Sequence, residues 1–233
     1  MFRTSQPSSA VTLTIGALLG WIIAHFGTPP LVSYCPLGSL LAPALGLLLL
    51  PIGILCGILL TALLSATPLS LQELLGMQHP MAPARRLFHA VLWALMLFLL
   101  LQIACGGFMQ WLLKFLGIAA SPQPQAEFLQ SHAINPTVLG AAFLSACVLS
   151  PIAEELLYRC LLPQAFRHLG LPMVVAIPLV AILFGVAHLL LWAFPGLVLF
   201  SLALSYNTWR HDLLQAILIH AGYNLLTLLA LLL

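Results

Sequence analysis

Charged side chains are scarce in this sequence. Asp, Glu, Lys and Arg together make up 5% of the 233 residues, whereas 62% of the residues are hydrophobic, and the mean hydropathy is +1.13. A soluble domain carries about 25% charged residues, so this chain lacks the charge that would solvate the surface of a globule. The composition therefore predicts an all-α, polytopic membrane protein.

The usual cysteine and metal motifs are also missing. The five cysteines are scattered without CxxC spacing, and the chain contains no HExxH. We interpret the cysteines as small apolar core residues and expect neither a disulfide framework nor a thiolate metal site. No internal repeat is evident in the sequence.

Long apolar runs predict about seven transmembrane helices in one integrated membrane domain. Residues 1–136 would hold the N-terminal helices and loops, and residues 137–233 the helical core. The predicted spans are residues 11–26, 37–65, 87–113, 137–167, 173–192, 197–209 and 212–233. The second run contains Pro43 and Pro51 and could be one kinked helix or a hairpin. In the first run, residues 16–20 match the GxxxG pattern of closely packed membrane helices.

The basic residues predict the orientation in the membrane. With seven spans and an inside N-terminus, one basic residue, Lys114, lies outside and six lie inside, namely Arg3, Arg85, Arg86, Arg159, Arg167 and Arg210. Such a bias follows the positive-inside rule. A hairpin within residues 37–65 would move Arg3 outside, so we favour a single helix there.

Two of the five acidic residues are adjacent, at Glu154 and Glu155, and lie in an apolar stretch. Charge inside a membrane is costly, so such a cluster is a candidate functional site. Glu155 and Arg159 are four residues apart with the acid first, the favourable order for an ion pair on a helix. Glu154 lies about 100° around the helix, so it is free to face a cavity.

Three more polar side chains lie in the apolar segments that follow, at His188, His220 and Asn224. Glu154 lies 16 residues before Gly170 and His188 lies 18 residues after it, so a turn at Gly170 would bring both to similar depth. His220 and Asn224 are four residues apart and share one face of the last span. Each could have a structural role, as when a polar side chain hydrogen-bonds a neighbouring helix.

Together these side chains predict the hydrolysis of an acyl bond inside the membrane. A carboxylate and an imidazole can hold one water, and Glu154 can take its proton as a general base. His220 and Asn224 can donate hydrogen bonds to the oxyanion that develops on an attacked carbonyl. A zinc site made by Glu154, His188 and His220 is an alternative, because two imidazoles and a carboxylate are a known catalytic ligand set.

Three motifs carry a resemblance to a known family: EExxxR at Glu154, Glu155 and Arg159, FxxxH at Phe184 and His188, and HxxxN at His220 and Asn224. In this order they resemble the motifs of the CPBP family. That family includes CAAX prenyl endopeptidase type II and the bacterial CAAX-protease and bacteriocin-processing (Abi) proteins. The resemblance covers residues 137–233 and implies an intramembrane endopeptidase with a helical fold.

The resemblance also implies roles for these residues. Glu154 would activate water with His188, Glu155 and Arg159 would support it, and His220 and Asn224 would stabilise the oxyanion. We favour the glutamic form of the protease without a cofactor over a zinc-dependent form. The expected partners are the lipid bilayer and a membrane-anchored protein or peptide substrate, with no nucleic acid.

The expected location is the plasma membrane, as in bacterial family members, with an inside N-terminus. Two other classes of function fit the same polar residues. A proton-coupled transporter also uses intramembrane Glu, His and Arg, although the chain has no detectable inverted repeat. A non-catalytic peptide-binding or immunity protein is the other alternative.

Overall fold

The computed structural model describes residues 7–33, 41–64, 81–119, 127, 130 and 135–233. These residues form an all-α bundle, and no strand occurs among them. We number the long helices of the described ranges in chain order: α1 (Pro7–Ser33), α2 (Leu41–Leu64), α3 (Pro83–Phe115), α4 (Pro136–His168), α5 (Met173–Ala187), α6 (Phe194–Arg210) and α7 (Leu213–Leu232).

Five of these helices are long and apolar enough to cross a membrane: α1, α2, α3, α4 and α7. The fifth and sixth predicted spans correspond to α5 and α6, which have 15 and 17 residues. The polytopic helical fold is therefore confirmed, whereas the predicted count of seven spans is not. Within residues 41–64 the chain is a single helix that contains Pro51, as predicted.

Several predicted helix boundaries were wrong, among them those of the first and sixth helices, which extend over Pro7–Ser33 and Phe194–Arg210 and not only over residues 11–26 and 197–209. The third helix begins at Pro83, so Arg85 and Arg86 lie within it and not in the preceding loop. Pro83 stands in the first turn, where its missing N–H removes no helical hydrogen bond. The fifth helix ends at Ala187 and not at Trp192, because Leu189 adopts a left-handed φ of 54°, which ends the helical conformation.

Close contact between α1 and α2 rests on glycines from both helices. A Cβ atom on Gly20 would lie 2.0 Å from the Gly53 carbonyl oxygen, and one on Gly57 would lie 2.1 Å from the Gly16 carbonyl oxygen. No side chain fits at such distances, so the absence of Cβ atoms lets the two backbones touch. The GxxxG pattern at residues 16–20 is thus part of a helix contact.

Two π-helical segments interrupt α4, at Ser145–Leu149 and Leu156–Leu161. Each ends two residues before a proline, Pro151 or Pro163. Proline has no backbone N–H to donate to the preceding turn, which fits a change of hydrogen-bonding pattern at these places. A third π segment, Phe98–Cys105, lies within α3.

The buried core has two main clusters that meet along α4 and α7. The first contains residues of α1, α2, α4, α5 and α7, among them Leu161 and Leu213, which are fully buried. The second contains α3, α5, α6 and α7, with Phe184, Phe200 and Tyr223. Tyr158 of α4 packs against both clusters. The charged residues of α4 therefore lie where two apolar clusters adjoin.

A buried ion pair ties α3 to the start of α7. The Arg86 guanidinium donates two hydrogen bonds to the Asp212 carboxylate, one of them at 2.8 Å from Nη2 to Oδ2. Asp212 is also the N-cap of α7, since its Oδ1 accepts from the backbone N–H of Gln215 at 2.9 Å. The Asp212 carboxylate thus caps the N-terminus of α7 and also holds that terminus against α3.

Candidate active site

Glu155 is the buried anchor of the site, with 0% of its surface exposed. Its Oε2 lies 3.0 Å from Arg159 Nε, in ionic contact although the N–H does not point at the oxygen. Arg159 Nη1 donates to Ser201 Oγ at 2.9 Å, which links α4 to α6. The structure thus contains the ion pair that the i,i+4 spacing predicts.

His220 joins α7 to the two glutamates. Its Nδ1 donates to Glu155 Oε1 at 2.9 Å, and its Nε2 lies 4.0 Å from Glu154 Oε2. The distance to Glu154 is too long for a direct hydrogen bond and leaves room for a bridging group. His220 is 3% exposed, so its contact with Glu155 is shielded from bulk water.

Glu154 is the less constrained of the two acids. Its side chain is 22% exposed, and its buried Oε2 has no hydrogen-bond partner among the described residues. A buried acceptor without a donor is uncommon and calls for an explanation. A water molecule or a polar substrate group between Glu154 and His220 would satisfy it.

Phe184 holds the basic side chains of the site around one ring. The Arg159 guanidinium carbon lies 5.2 Å from the ring centroid, within the range of a cation–π contact. The imidazoles of His188 and His220 lie 4.8 and 6.2 Å from the same centroid. Phe184 is 1% exposed and therefore provides an apolar wall that both histidines contact.

His188 lies at the C-cap of α5, directly before the left-handed Leu189. Its Nδ1 donates to the Phe184 carbonyl oxygen at 2.8 Å. In the neutral imidazole the other nitrogen, Nε2, is then an acceptor. No Glu154 oxygen lies within 4.0 Å of the His188 imidazole nitrogens, so the structure does not bring these two predicted partners into direct contact.

Asn224 lies one turn beyond His220 on α7. Its Nδ2 donates to the Ala146 carbonyl oxygen at 2.8 Å, in the first π segment of α4. An amide nitrogen has two N–H donors, so one remains for another acceptor. The same hydrogen bond links α7 to α4. Asn224 therefore also has the structural role predicted as the alternative, a hydrogen bond to a neighbouring helix.

The structure brings Glu154, Glu155, Arg159 and His220 into one charged cluster, and His188 contacts the Phe184 ring without a direct bond to Glu154. Within the described ranges, no group of three or more His, Cys, Asp or Glu side chains could hold a metal ion. The zinc ligand set of Glu154, His188 and His220 is thus not assembled here.

Sequence reasoning missed two contributors to this site. Ser201 receives the hydrogen bond of Arg159, and the Ala146 carbonyl receives that of Asn224. A serine in the middle of the apolar α6 was a signal for the first. Nothing in the sequence signals a backbone carbonyl, because its availability depends on the π segment.

Comparison with family models gives a match to the family described as type II CAAX prenyl endopeptidase Rce1-like, over residues 136–226. The matched region is less than half of the chain and contains all six predicted site residues, from Glu154 to Asn224. The match confirms the resemblance to the CPBP family over these residues. No curated protein and no solved structure matches the chain.

Proposed function

We propose that this protein is an intramembrane endopeptidase that hydrolyses a peptide bond of a membrane-associated protein or peptide. The observation that carries the proposal is the unpartnered Glu154 Oε2, which lies beside an imidazole in an apolar surrounding. Glu155 is held by a hydrogen bond from His220 and an ionic contact with Arg159 and is 0% exposed. The Glu154 side chain, in contrast, is 22% exposed, so Glu154 is the acid that a substrate or water can reach.

Glu154 acts as the general base in this mechanism. A water molecule donates one hydrogen bond to Glu154 and a second to Nε2 of His188 once substrate closes the site. Glu154 takes the proton while the water oxygen attacks the carbonyl carbon, and the proton then passes to the amine nitrogen as the C–N bond breaks. General base catalysis by a positioned side chain contributes about 10²–10⁴-fold to the rate.

His220 and Asn224 stabilise the oxyanion. With a proton on both imidazole nitrogens, His220 donates to Glu155 through Nδ1 and presents its Nε2–H to the carbonyl oxygen. In that state two carboxylates face one guanidinium and one imidazolium, so the charges of the cluster sum to zero. The free N–H of Asn224 is the second donor.

The glutamic form is our preferred mechanism, because a general-base carboxylate needs no metal to activate water. In a zinc-dependent form, Glu154, His188 and His220 would be the ligands and the metal would supply an activated water. We further propose that the enzyme acts in a bacterial plasma membrane with an inside N-terminus. Its substrates would be membrane-anchored peptides without an obligatory prenyl group.

The test is cleavage of a library of membrane-anchored peptides by the full chain purified in detergent. Wild type is compared with Glu154→Gln, His188→Gln and Glu127→Gln. Glu127 is exposed and provides a matched loss of one carboxylate outside the three motifs. We expect Glu154→Gln and His188→Gln to lose at least 10²-fold in kcat, and Glu127→Gln to retain the wild-type rate.

Addition of a chelator separates the two forms of the mechanism. Cleavage that persists with a chelator supports the glutamic form, whereas cleavage lost with a chelator and restored by zinc supports the metal-dependent form. A Glu154→Gln variant that cleaves at the wild-type rate would overturn the proposed mechanism. Binding of peptides without any cleavage would favour a non-catalytic binding protein instead.

A further inference from the structure

Aromatic contacts join the start of α3 to the end of α6. The ring centroids of Trp93 and Tyr206 lie 6.2 Å apart, and those of His89 and His211 lie 4.8 Å apart in an edge-to-face arrangement. We call this boundary the α3–α6 seam. Its members are Arg85, His89 and Trp93 from α3, and Tyr206, Trp209, Arg210 and His211 from the last turn of α6 and the residue after it.

The two backbones are further apart in the seam than elsewhere along these helices. Nearer the start of α6 they touch, since a Cβ atom on Gly196 would lie 3.6 Å from the Leu101 carbonyl oxygen of α3. In the seam the large rings of Trp93 and Tyr206 make the contact instead. The helices therefore diverge towards the start of α3, and side chains line the space between them.

Hydrogen bonds hold the inner wall of the seam in place. Trp93 Nε1 donates to His89 Nε2 at 3.1 Å, and the side-chain nitrogen of Gln215 lies 3.1 Å from His89 Nδ1. Gln215 belongs to α7 and is 0% exposed. The His89 imidazole is thus fixed between its own helix and α7, which gives the seam an ordered wall that needs little rearrangement to bind a ligand.

The outer side of the seam faces the bilayer. Tyr206 and Trp209 are exposed on α6, and Phe88 and Leu92 are exposed beside the seam on α3. Exposed apolar side chains on membrane helices contact hydrocarbon, and Tyr and Trp are enriched where the hydrocarbon meets the headgroups. A molecule that enters the seam from this side is therefore a lipid.

The outer end of the seam carries two positive charges. Arg85 lies one turn, about 6 Å, before the histidine of α3, and Arg210 is the last residue of α6. Both are exposed, and neither forms an ion pair within the described part of the chain. The nearby Asp212 carboxylate does not neutralise them, because both of its oxygens bind Arg86.

We propose that the α3–α6 seam binds one anionic phospholipid. The phosphate accepts hydrogen bonds from Arg85 and Arg210, whose planar guanidinium groups match phosphate oxygens. The acyl chains run from there along Trp93 and Tyr206 towards the centre of the bilayer. A zwitterionic choline headgroup fits less well, because it brings a further cation beside the two guanidinium groups.

This lipid site does not depend on the proposed peptidase function. The seam residues belong to none of the three sequence motifs. A lipid bound there contacts α3 and α6 at the end of the bundle where their backbones diverge, and so adds a contact that the two helices lack.

The test is lipid binding by the full chain in detergent, measured by native mass spectrometry. Dioleoyl phosphatidylglycerol is compared with dioleoyl phosphatidylcholine, which has the same acyl chains and an uncharged headgroup overall. Wild type is compared with Arg85→Gln, Arg210→Gln, their double variant and Lys114→Gln. Lys114 is exposed in the last turn of α3, so its replacement removes one positive charge at the opposite end of the same helix.

We expect wild type to bind phosphatidylglycerol at least about five-fold more tightly than phosphatidylcholine. Each single arginine variant should raise the Kd for phosphatidylglycerol about five-fold, and the double variant about 25-fold, the effect of removing basic side chains from an anionic lipid surface. Lys114→Gln should retain the wild-type Kd. Thermal unfolding verifies that each variant folds, and if the double variant does not fold, the single variants decide.

Three results would overturn the proposal. Equal affinity of wild type for the two lipids would exclude recognition of the headgroup charge. An unchanged Kd in the arginine variants, or an equal loss in Lys114→Gln, would exclude the seam as the site. Displacement of the lipid by an excess of inorganic phosphate would show that the guanidinium groups bind a free anion, without a contribution from acyl chains along Trp93 and Tyr206. None of these results bears on peptide cleavage, so the two proposals are tested separately.

Discussion

At the scale of single residues, the two adjacent glutamates differ in how completely their oxygens are engaged. Both oxygens of Glu155 contact a positive or donating group, His220 on one side and Arg159 on the other. Glu154 keeps one buried oxygen without a donor. Of two adjacent positions on one helix, one acid is thus buried between two charged or donating groups, and the other is partly exposed and open to a further partner.

This difference predicts that loss of the Glu155 carboxylate lowers the free energy of unfolding much more than loss of the Glu154 carboxylate. Glu155→Ala leaves Arg159 without its buried partner, and breaking a buried pair costs about 3–5 kcal/mol. Glu154→Gln should change the free energy of unfolding by less than about 1 kcal/mol, because it removes no internal hydrogen bond. Denaturant or thermal unfolding in detergent measures both; a Glu154→Gln variant less stable than Glu155→Ala would contradict the assignment.

Ser201 provides a second prediction at this scale. Ser201→Ala removes the acceptor of Arg159 Nη1 and leaves a buried N–H unsatisfied, which costs about 1–3 kcal/mol. Ser205 is a matched control on the same helix, since its hydroxyl donates to the Ser201 carbonyl oxygen one turn earlier in the same helix and does not link α6 to Arg159. We expect Ser205→Ala to unfold closer to wild type, and equal losses in the two variants would argue against a specific role for Ser201.

Much of the charged cluster was predictable from the sequence, because helical spacing alone fixes the Glu155–Arg159 pair. The depth argument instead aligned Glu154 with His188, and the structure does not bring these two side chains into direct contact. The position of His188 was not predictable in the same way. It depends on the end of α5 at Ala187 and the left-handed Leu189, and the apolar run at residues 189–192 contains no glycine or proline to signal that end.

At the scale of helices, the contact of α1 with α2 depends on the absence of side chains. A Cβ atom on Gly20 would lie 2.0 Å from the backbone of α2, whereas one on Gly27 of the same helix would meet nothing within 4 Å. Replacing glycine by alanine at each position therefore tests the helix contact. The change in helix propensity is the same in both variants, so a difference in stability reports the contact between α1 and α2.

We expect Gly20→Ala to force the helices apart and to lower the free energy of unfolding by about 1–3 kcal/mol, the usual cost of overpacking. Gly27→Ala should be neutral or slightly stabilising, because alanine favours the helix. Thermal unfolding in detergent is the measurement. Equal stability of the two variants would mean that the two helices adjust without cost.

At the scale of the whole molecule, the Arg86–Asp212 pair places the start of α3 and the start of α7 at one end of the bundle. Arg85 and Arg210 are exposed near that end, in agreement with a cluster of basic residues on one side of the membrane. The inside location of this side follows from the positive-inside rule and remains a prediction.

Single cysteine substitutions test that orientation. In a background without the native cysteines, Arg85→Cys and Arg210→Cys should react with a membrane-impermeant reagent only after cells are opened, whereas Lys114→Cys should react in intact cells. Arg85, Lys114 and Arg210 are exposed, so each substitution should be tolerated. Labelling of Arg210→Cys in intact cells would reverse the orientation.

The short length of α5 has a consequence for the surrounding lipid. Its 15 residues span about 22 Å at 1.5 Å per residue, which is less than the hydrocarbon core of about 30 Å. A bilayer accommodates such a helix by becoming thinner next to it. Next to α5 we therefore expect headgroups and water to come close to His188 at its end, and under the proposed function a membrane-anchored substrate would lose part of its hydrocarbon cover on this side.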